Sequence, residues 1–318
     1  MRKPIGGKFG ANVTWMKVSV EAKPLHEPLA GGTPGASVVV EPIVAGHVDF
    51  PQAAMESPGG RFVQLKVLRA ILRGKPPHVV PVPAFLIRHP SAGAILVDTG
   101  LHPSIASGGR ENFGGAGNRF GKPTLTAGED VPSQLRKRGL DPGEIPVVVM
   151  THMHIDHTSA ISEFSKSTFV VSETEWRAAS VGPRPTLNGY RRPHFNYAFD
   201  YRTIDFDRDG IDSYANFART FDLFGDGSLH LAFTPGHSPG HMSVICRLAQ
   251  RDFVIGGDAM YTYAQLSGDA PLPPRPADAH NLRRSLQELR LFQRQFPEAT
   301  ITPGHDAGFY EKLADRYE

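Results

Sequence analysis

The stretch Thr151-His152-Met153-His154-Ile155-Asp156-His157 places four potential metal donors within six residues. It directly follows residues 145–150, a short continuous apolar run that reads as a buried strand. Side chains therefore emerge where the chain leaves a sheet. Imidazole suits zinc and neighbouring transition metals, and carboxylate widens the choice toward iron or manganese. In a tight turn, residues two apart can face one ion while the next two face another. The spacing thus predicts a pair of sites, which needs about three more donors from elsewhere.

The rest of the chain supplies them. His237 lies in Thr234-Pro235-Gly236-His237-Ser238-Pro239-Gly240-His241, a Gly/Pro-fixed loop after the apolar run 229–233. Asp258 follows the run 253–255 in Gly256-Gly257-Asp258, and His305 follows 300–301 in Thr302-Pro303-Gly304-His305-Asp306. Each candidate sits just beyond the C-terminal end of a short strand. Any one of these histidines alone would be read as structural; the shared placement is what makes the set a site.

In this order, with Asp98 preceding the cluster, the chain resembles the metallo-β-lactamase superfamily, whose pattern is an early aspartate, HxHxDH, then histidine, aspartate and histidine. The resemblance covers roughly residues 40–310. It implies an α/β fold, an αββα sandwich with the site at one edge of two sheets. It further implies that His152, His154 and His237 hold one metal, that Asp156, His157 and His305 hold the other, and that Asp258 bridges them. Asp98 is expected to orient ligands without being one. His241 is expected to support the loop or to pack. The implied cofactors are two divalent transition-metal ions, Zn2+ first, with iron or manganese as alternatives.

The phrases Val80-Pro81-Val82-Pro83-Ala84-Phe85-Leu86-Ile87-Arg88-His89-Pro90 and Val97-Asp98-Thr99-Gly100 look like those of N-acyl homoserine lactonases. So does Gly257-Asp258-Ala259-Met260-Tyr261. The resemblance implies a lactone substrate, attacked by a metal-bridging hydroxide. Tyr261 would then stabilise the oxyanion, and Asp156 or Asp258 would carry the proton to the leaving alkoxide. The bland alternative for Tyr261 is core packing. No G-x-S-x-G elbow offers a serine nucleophile.

Composition sets the outer limits. The chain has 318 residues, 40% apolar and 21% charged, with 34 basic against 32 acidic residues and a net charge of +2. That balance fits a soluble globular protein and gives no basic stripe for nucleic acid. The single cysteine, Cys246, excludes an internal disulfide and a cysteine-rich zinc site. No secretory h-region and no apolar run of about 18 residues is present, so a cytoplasmic enzyme with no membrane partner is expected. A homodimer stays open. Among other functions, a glyoxalase II-like thioesterase would require a basic cluster near the motifs, and none is apparent. A di-iron oxygen-using member usually carries an acidic residue where this chain has His154. A non-enzymatic metal scaffold would normally have lost ligands, and this chain has lost none.

The coarser reading divides the chain into an N-terminal arm, 1–36, partly disordered, and a hydrolase domain, 37–318. Strands are expected at 37–44, 79–88, 94–97, 145–150, 168–172, 229–233, 242–247, 253–255 and 300–301, with 79–88 and 94–97 forming an antiparallel hairpin. Helices are expected at 61–73, 131–138, from 173 to 179, and at 281–295. In the last of these, Leu282, Leu286, Leu289, Leu291 and Phe292 form the buried stripe. Residues 108–128 read as a long Gly-rich loop. Residues 181–207, rich in aromatics such as Tyr190, Phe195, Tyr197, Phe199 and Tyr201, read as a loop that either covers an acyl chain or packs its rings onto the domain. His78, His89, His102 and His194 are read as surface or loop residues.

Overall fold

A computed structural model of the chain describes residues 18–51, 77–273 and 276–318; the helix expected at 61–73 lies outside the described residues. The strands are β1 (Lys23–Pro24), β2 (Val39–Pro51), β3 (Pro77–His89), β4 (Gly93–Val97), β5 (Lys122–Thr124), β6 (Val147–Val149), β7 (Thr168–Ser172), β8 (Asp200–Ile204), β9 (Asp212–Tyr214), β10 (Phe217–Asp222), β11 (Leu229–Phe233), β12 (Met242–Arg247), β13 (Asp252–Ile255) and β14 (Thr300–Thr302). They form two sheets. One has eight strands in the order β1-β8-β7-β6-β4-β3-β2-β5, the other six in the order β14-β13-β12-β11-β10-β9. The expected hairpin is present, with β3 antiparallel to β4 and Leu86 opposite Leu96. β4, β6, β7 and β8 then run parallel to one another.

Period-2 alternation along the strands sorts the core into layers. Between the sheets, Phe85, Ile87, Val97, Val149 and Val170 meet Leu231, Phe233, Val244, Phe253 and Ile255. On the outer face of the larger sheet, Ala84, Leu86, Leu96, Val148 and Phe169 pack under the helices Val131–Lys137 and Glu173–Ser180. Ala232, Ile245, Val254 and Ile301 do the same on the smaller sheet, under Leu286, Leu289 and Phe292 of the helix Ala279–Gln295. Both faces of the central strands are covered, which is why they read as continuous apolar runs. The result is the expected αββα sandwich of the metallo-β-lactamase fold.

Several expectations are revised. Leu291 is 41% exposed and leaves the buried stripe; it lies about 200° around the helix from Leu289. Residues 18–36 are laid on the domain: β1 pairs with β8, Leu25 is buried, and Thr33 N–H donates to Asp226. The segment 108–128 contains the helix Gly114–Phe120 and strand β5. Its glycines hide a helix that Asn118 holds by donating to the Arg110 and Gly114 carbonyls. The aromatics of 181–207 are largely packed inward: Phe195 and Tyr201 are fully buried, and 200–204 is strand. Among the described residues no helix is long and apolar enough to cross a membrane.

Candidate metal centre

Each donor leaves a strand end at the same edge of the sandwich. After β6, Thr151 N–H donates to Asp98 Oδ1 at 2.8 Å, and the chain turns into the one-turn helix Ile155–Thr158, with His154 at its N-cap. This turn carries Asp156 and His157 beside His152 and His154. From the second sheet, β11 delivers His237 in a loop pinned by Asp278 N–H to the Gly236 carbonyl. Gly236 has φ 133°, and a Cβ there would meet the Leu282 backbone nitrogen at 2.1 Å. Only glycine lets this loop dock so closely on the helix. β13 delivers Asp258 and β14 delivers His305, whose N–H donates to the Tyr261 carbonyl.

The seven expected donors converge. His237 Nε2 lies 3.2 Å from His152 Nε2 and 2.9 Å from His154 Nδ1. Asp258 Oδ2 lies 3.2 Å from both His237 Nε2 and His305 Nε2. Asp156 Oδ2 is 3.6 Å from both His157 Nε2 and His305 Nε2. Three overlapping groups could each hold an ion: His152, His154, His237; His152, His157, Asp258; and Asp156, His157, His305. Around a tetrahedral ion with bonds of about 2.0–2.1 Å, neighbouring donors stand about 3.3 Å apart, so the spacing fits.

Hydrogen bonds to the outer ring nitrogens, from which the tautomers are assigned, turn lone pairs inward. His157 Nδ1–H donates to Asp98 Oδ2 at 2.7 Å, and His305 Nδ1–H to the Pro81 carbonyl at 2.9 Å. His152 Nδ1 faces the Thr151 hydroxyl at 3.1 Å, and that hydroxyl donates to Asp98 Oδ2. Inside the cluster, His157 Nε2 and Asp258 Oδ1 are buried with no hydrogen-bond partner. Each such atom would cost about 1–3 kcal/mol if left unpaired. A cation coordinated there satisfies both, so the residues fit the group that the fold implies.

The electrostatics are uneven. Burial drives His152 and His237 well below the ordinary histidine range, and lowers His154. Burial also presses on His157, but Asp156 and Asp98 outweigh it and raise it to about 10. His305 is raised against its burial by Asp258 and Asp156. Burial would raise Asp258, yet the charges of His305 and His237 hold it well below the carboxylate range. The cluster therefore favours positive charge beside its carboxylates and neutral imidazoles opposite.

The remaining candidates divide. Asp98 touches His157 and Thr151 and stands outside the donor groups. His241 is also outside: its Nε2 accepts from Asp258 N–H at 3.0 Å while Nδ1 meets the Thr234 hydroxyl at 2.9 Å. The Tyr261 hydroxyl is 3.3 Å from His237 Nδ1, and its ring lies 5.3 Å from that of His305. Burial, with Asp258 and Asp156, pushes its phenol well up, so it remains an O–H donor. Tyr261, with Phe50 and Ile155, is partly buried against a small apolar core that contains Val80 and Phe113.

Of the histidines read as surface or loop residues, His89 and His194 are buried. His89 meets Asp226 at 3.0 Å and Ser228 at 3.1 Å, and His194 meets the Asn112 carbonyl at 2.9 Å and the Thr158 hydroxyl at 3.0 Å. His102 is half-buried and lies 3.2 Å from Glu163. Sequence reasoning missed Glu175, which is fully buried behind the cluster. Its only signal was the spacing Ser172-x-x-Glu175 at a helix start, which reads as an ordinary capping box.

The sequence profile described as the Metallo-beta-lactamase superfamily matches residues 78–305. The chain is 34% identical over 231 residues to the N-acyl homoserine lactonase AttM of Agrobacterium fabrum, covering 71% of this chain and 82% of that protein. It is 28% identical over 245 residues to the N-acyl homoserine lactonase AiiB of the same organism, with 74% and 82% covered. Among solved structures, an N-acyl homoserine lactone hydrolase with the product N-hexanoyl-L-homoserine at its catalytic metal centre superposes with a TM-score of 0.67. Its identity is 20%, over 90% of this chain and 98% of that one.

Proposed function

The chain belongs to the metallo-beta-lactamase superfamily, and we propose that it is a two-metal hydrolase that opens N-acyl homoserine lactones. The observation that carries this reading is the pair of donor groups joined through Asp258, with the Tyr261 hydroxyl beside them. In this reading His152, His154 and His237 would hold one ion and Asp156, His157 and His305 the other, with Asp258 available to both. Imidazole and carboxylate donors without thiolate suit Zn2+, and admit iron or manganese. When bound, such ions supply a water that is deprotonated near neutral pH and a Lewis acid for a carbonyl.

The protein's own groups do the rest. Tyr261 O–H donates to the carbonyl oxygen as negative charge develops there, a role that a phenol held protonated is suited to. Phe50 and Ile155, half-buried against the small core beside Tyr261, would offer apolar surface to an acyl chain. Asp156, with Oδ2 toward His157 and His305 and a side chain 9% exposed, carries the proton to the leaving alkoxide. Asp258 is the other carboxylate placed for that transfer. The fold is shared by many hydrolases, so the substrate class rests on relatedness to the lactonases.

The test is turnover of a panel of acyl homoserine lactones, plain lactones, thioesters and phosphodiesters by Zn2+-loaded protein. Ring opening of the acyl homoserine lactones with the highest kcat/KM is expected. Preference for a thioester or phosphodiester by more than about tenfold would replace the lactonase reading.

A further inference from the structure

Glu175 lies on the helix Glu173–Ser180, outside the donor groups, yet it joins the two loops that carry His152, His154 and His237. Its side chain is fully buried. Oε1 accepts the Met153 N–H at 3.0 Å, from the peptide between His152 and His154. Oε2 accepts the Gly240 N–H at 2.9 Å, three residues beyond His237. Ser172, which caps the same helix by accepting the Glu175 N–H, donates its hydroxyl to the Gly240 carbonyl at 2.7 Å. The Gly240 peptide is therefore held at both its nitrogen and its oxygen. A Cβ on Gly240 would lie 2.2 Å from both the Glu175 nitrogen and Ser172 Oγ, so the loop seats on the helix at contact distance.

A buried carboxylate is expensive unless its oxygens are satisfied. Here both are spent on backbone N–H groups of loops from different sheets. Tyr190 adds a third neighbour: its hydroxyl is buried near Glu175 and its ring lies 5.2 Å from that of His154. The opposite half of the cluster has its own carboxylate, Asp98, on Thr151 and His157. One further backbone bond, Met242 N–H to the Thr151 carbonyl, also ties the two loops. It fixes the strand ends, while Glu175 fixes the peptides beside the ligands themselves.

We infer that Glu175 is a positioning residue for one half of the metal centre, setting the geometry of His152, His154 and His237, as Asp98 does for His157. The inference rests on the two-ion reading above. Glu175→Gln is the discriminating change: the amide keeps one acceptor and turns an NH2 toward the other N–H. One loop is released with little change in volume.

The experiment measures Zn2+ affinity by competition with a chromophoric chelator, in two backgrounds that each keep one half of the centre. With His305→Ala the three-imidazole half remains, and there Glu175→Gln is expected to weaken Zn2+ binding about 10-fold or more. With His154→Ala the other half remains, and Glu175→Gln is expected to change its affinity less than about twofold. The melting temperature of each metal-free protein is recorded alongside. Equal losses in both backgrounds, matched by the fall in metal-free melting temperature, would reduce Glu175 to a folding role. Unchanged affinity in both would remove it from the centre. Zn2+ uptake by the unsubstituted chain tests the two-ion reading separately, since fewer than two equivalents would defeat that reading without touching the comparison.

Discussion

Asp98 sits at φ 59°, in the left-handed region that costs a non-glycine residue of order 1 kcal/mol or more. The conformation aims one carboxylate oxygen at Thr151 N–H and the other at both the Thr151 hydroxyl and His157 Nδ1. Strain here is exchanged for a fixed tautomer. Tyr261 is the residue whose role divides two readings most cleanly. If its phenol stabilises the oxyanion, Tyr261→Phe should lower kcat on a lactone about 10-fold, the low end for losing one such donor when metals share the task. Zn2+ content and melting temperature should hardly move. Full kcat in a folded, metal-loaded variant would take Tyr261 out of the reaction. At this scale the seven residues that converge were legible because few residue types suit a metal and each follows a strand end. Glu175, His89 and His194 were not, because whether a side chain meets a distant backbone group depends on packing between elements far apart in sequence.

At the scale of elements, periodicity decides what can be read. The helix Ala279–Gln295 is capped by Asp278, which accepts the His280 and Asn281 N–H groups, and buries Leu282, Leu286, Leu289 and Phe292. Leu289→Ala should cost about 2–5 kcal/mol through lost burial and the cavity left behind. Leu291→Ala should stay within about 0.5 kcal/mol. Denaturant midpoints of the two variants test this, and equal losses would contradict the assigned face. Short strands dense in apolar residues, such as Thr168–Ser172 and Leu229–Phe233, were legible to the residue. Phe217–Asp222 was not. Its pairing with Asp212–Tyr214 shifts register between Phe217 and Thr220, which breaks the alternation that marks a strand. Asp200–Ile204 was lost inside an aromatic stretch with turns at Pro185–Asn188 and Arg192–His194.

Across the whole molecule, burial of neutral histidines sets the response to acid. His194 is driven down to about 3, chiefly by burial. Its unfolded value is about 6.5, so below that pH the unfolded chain takes a proton that the fold refuses until about pH 3. Stability should therefore fall as pH drops through this window, by up to about 1.4 kcal/mol per pH unit for one such group. His194→Gln should be less stable at pH 7 yet show a shallower loss between pH 6.5 and 4 in melting experiments. An unchanged slope would mean that His194 does not titrate in this way. The sandwich has a second consequence at this scale. Each outer donor group draws on both sheets: His152 and His154 follow β6 while His237 follows β11, and Asp156 and His157 are joined by His305 after β14. His154 and His237 are 83 positions apart and His157 and His305 are farther still, so neither group is whole until distant strands from both sheets have met. Metal capture is therefore expected to follow assembly of the two sheets. Zn2+ should slow unfolding by comparison with chelator-treated protein and leave the refolding rate unchanged, because the ion contributes to the native state and little to the barrier. Refolding accelerated by Zn2+ would place the metal in the nucleus instead.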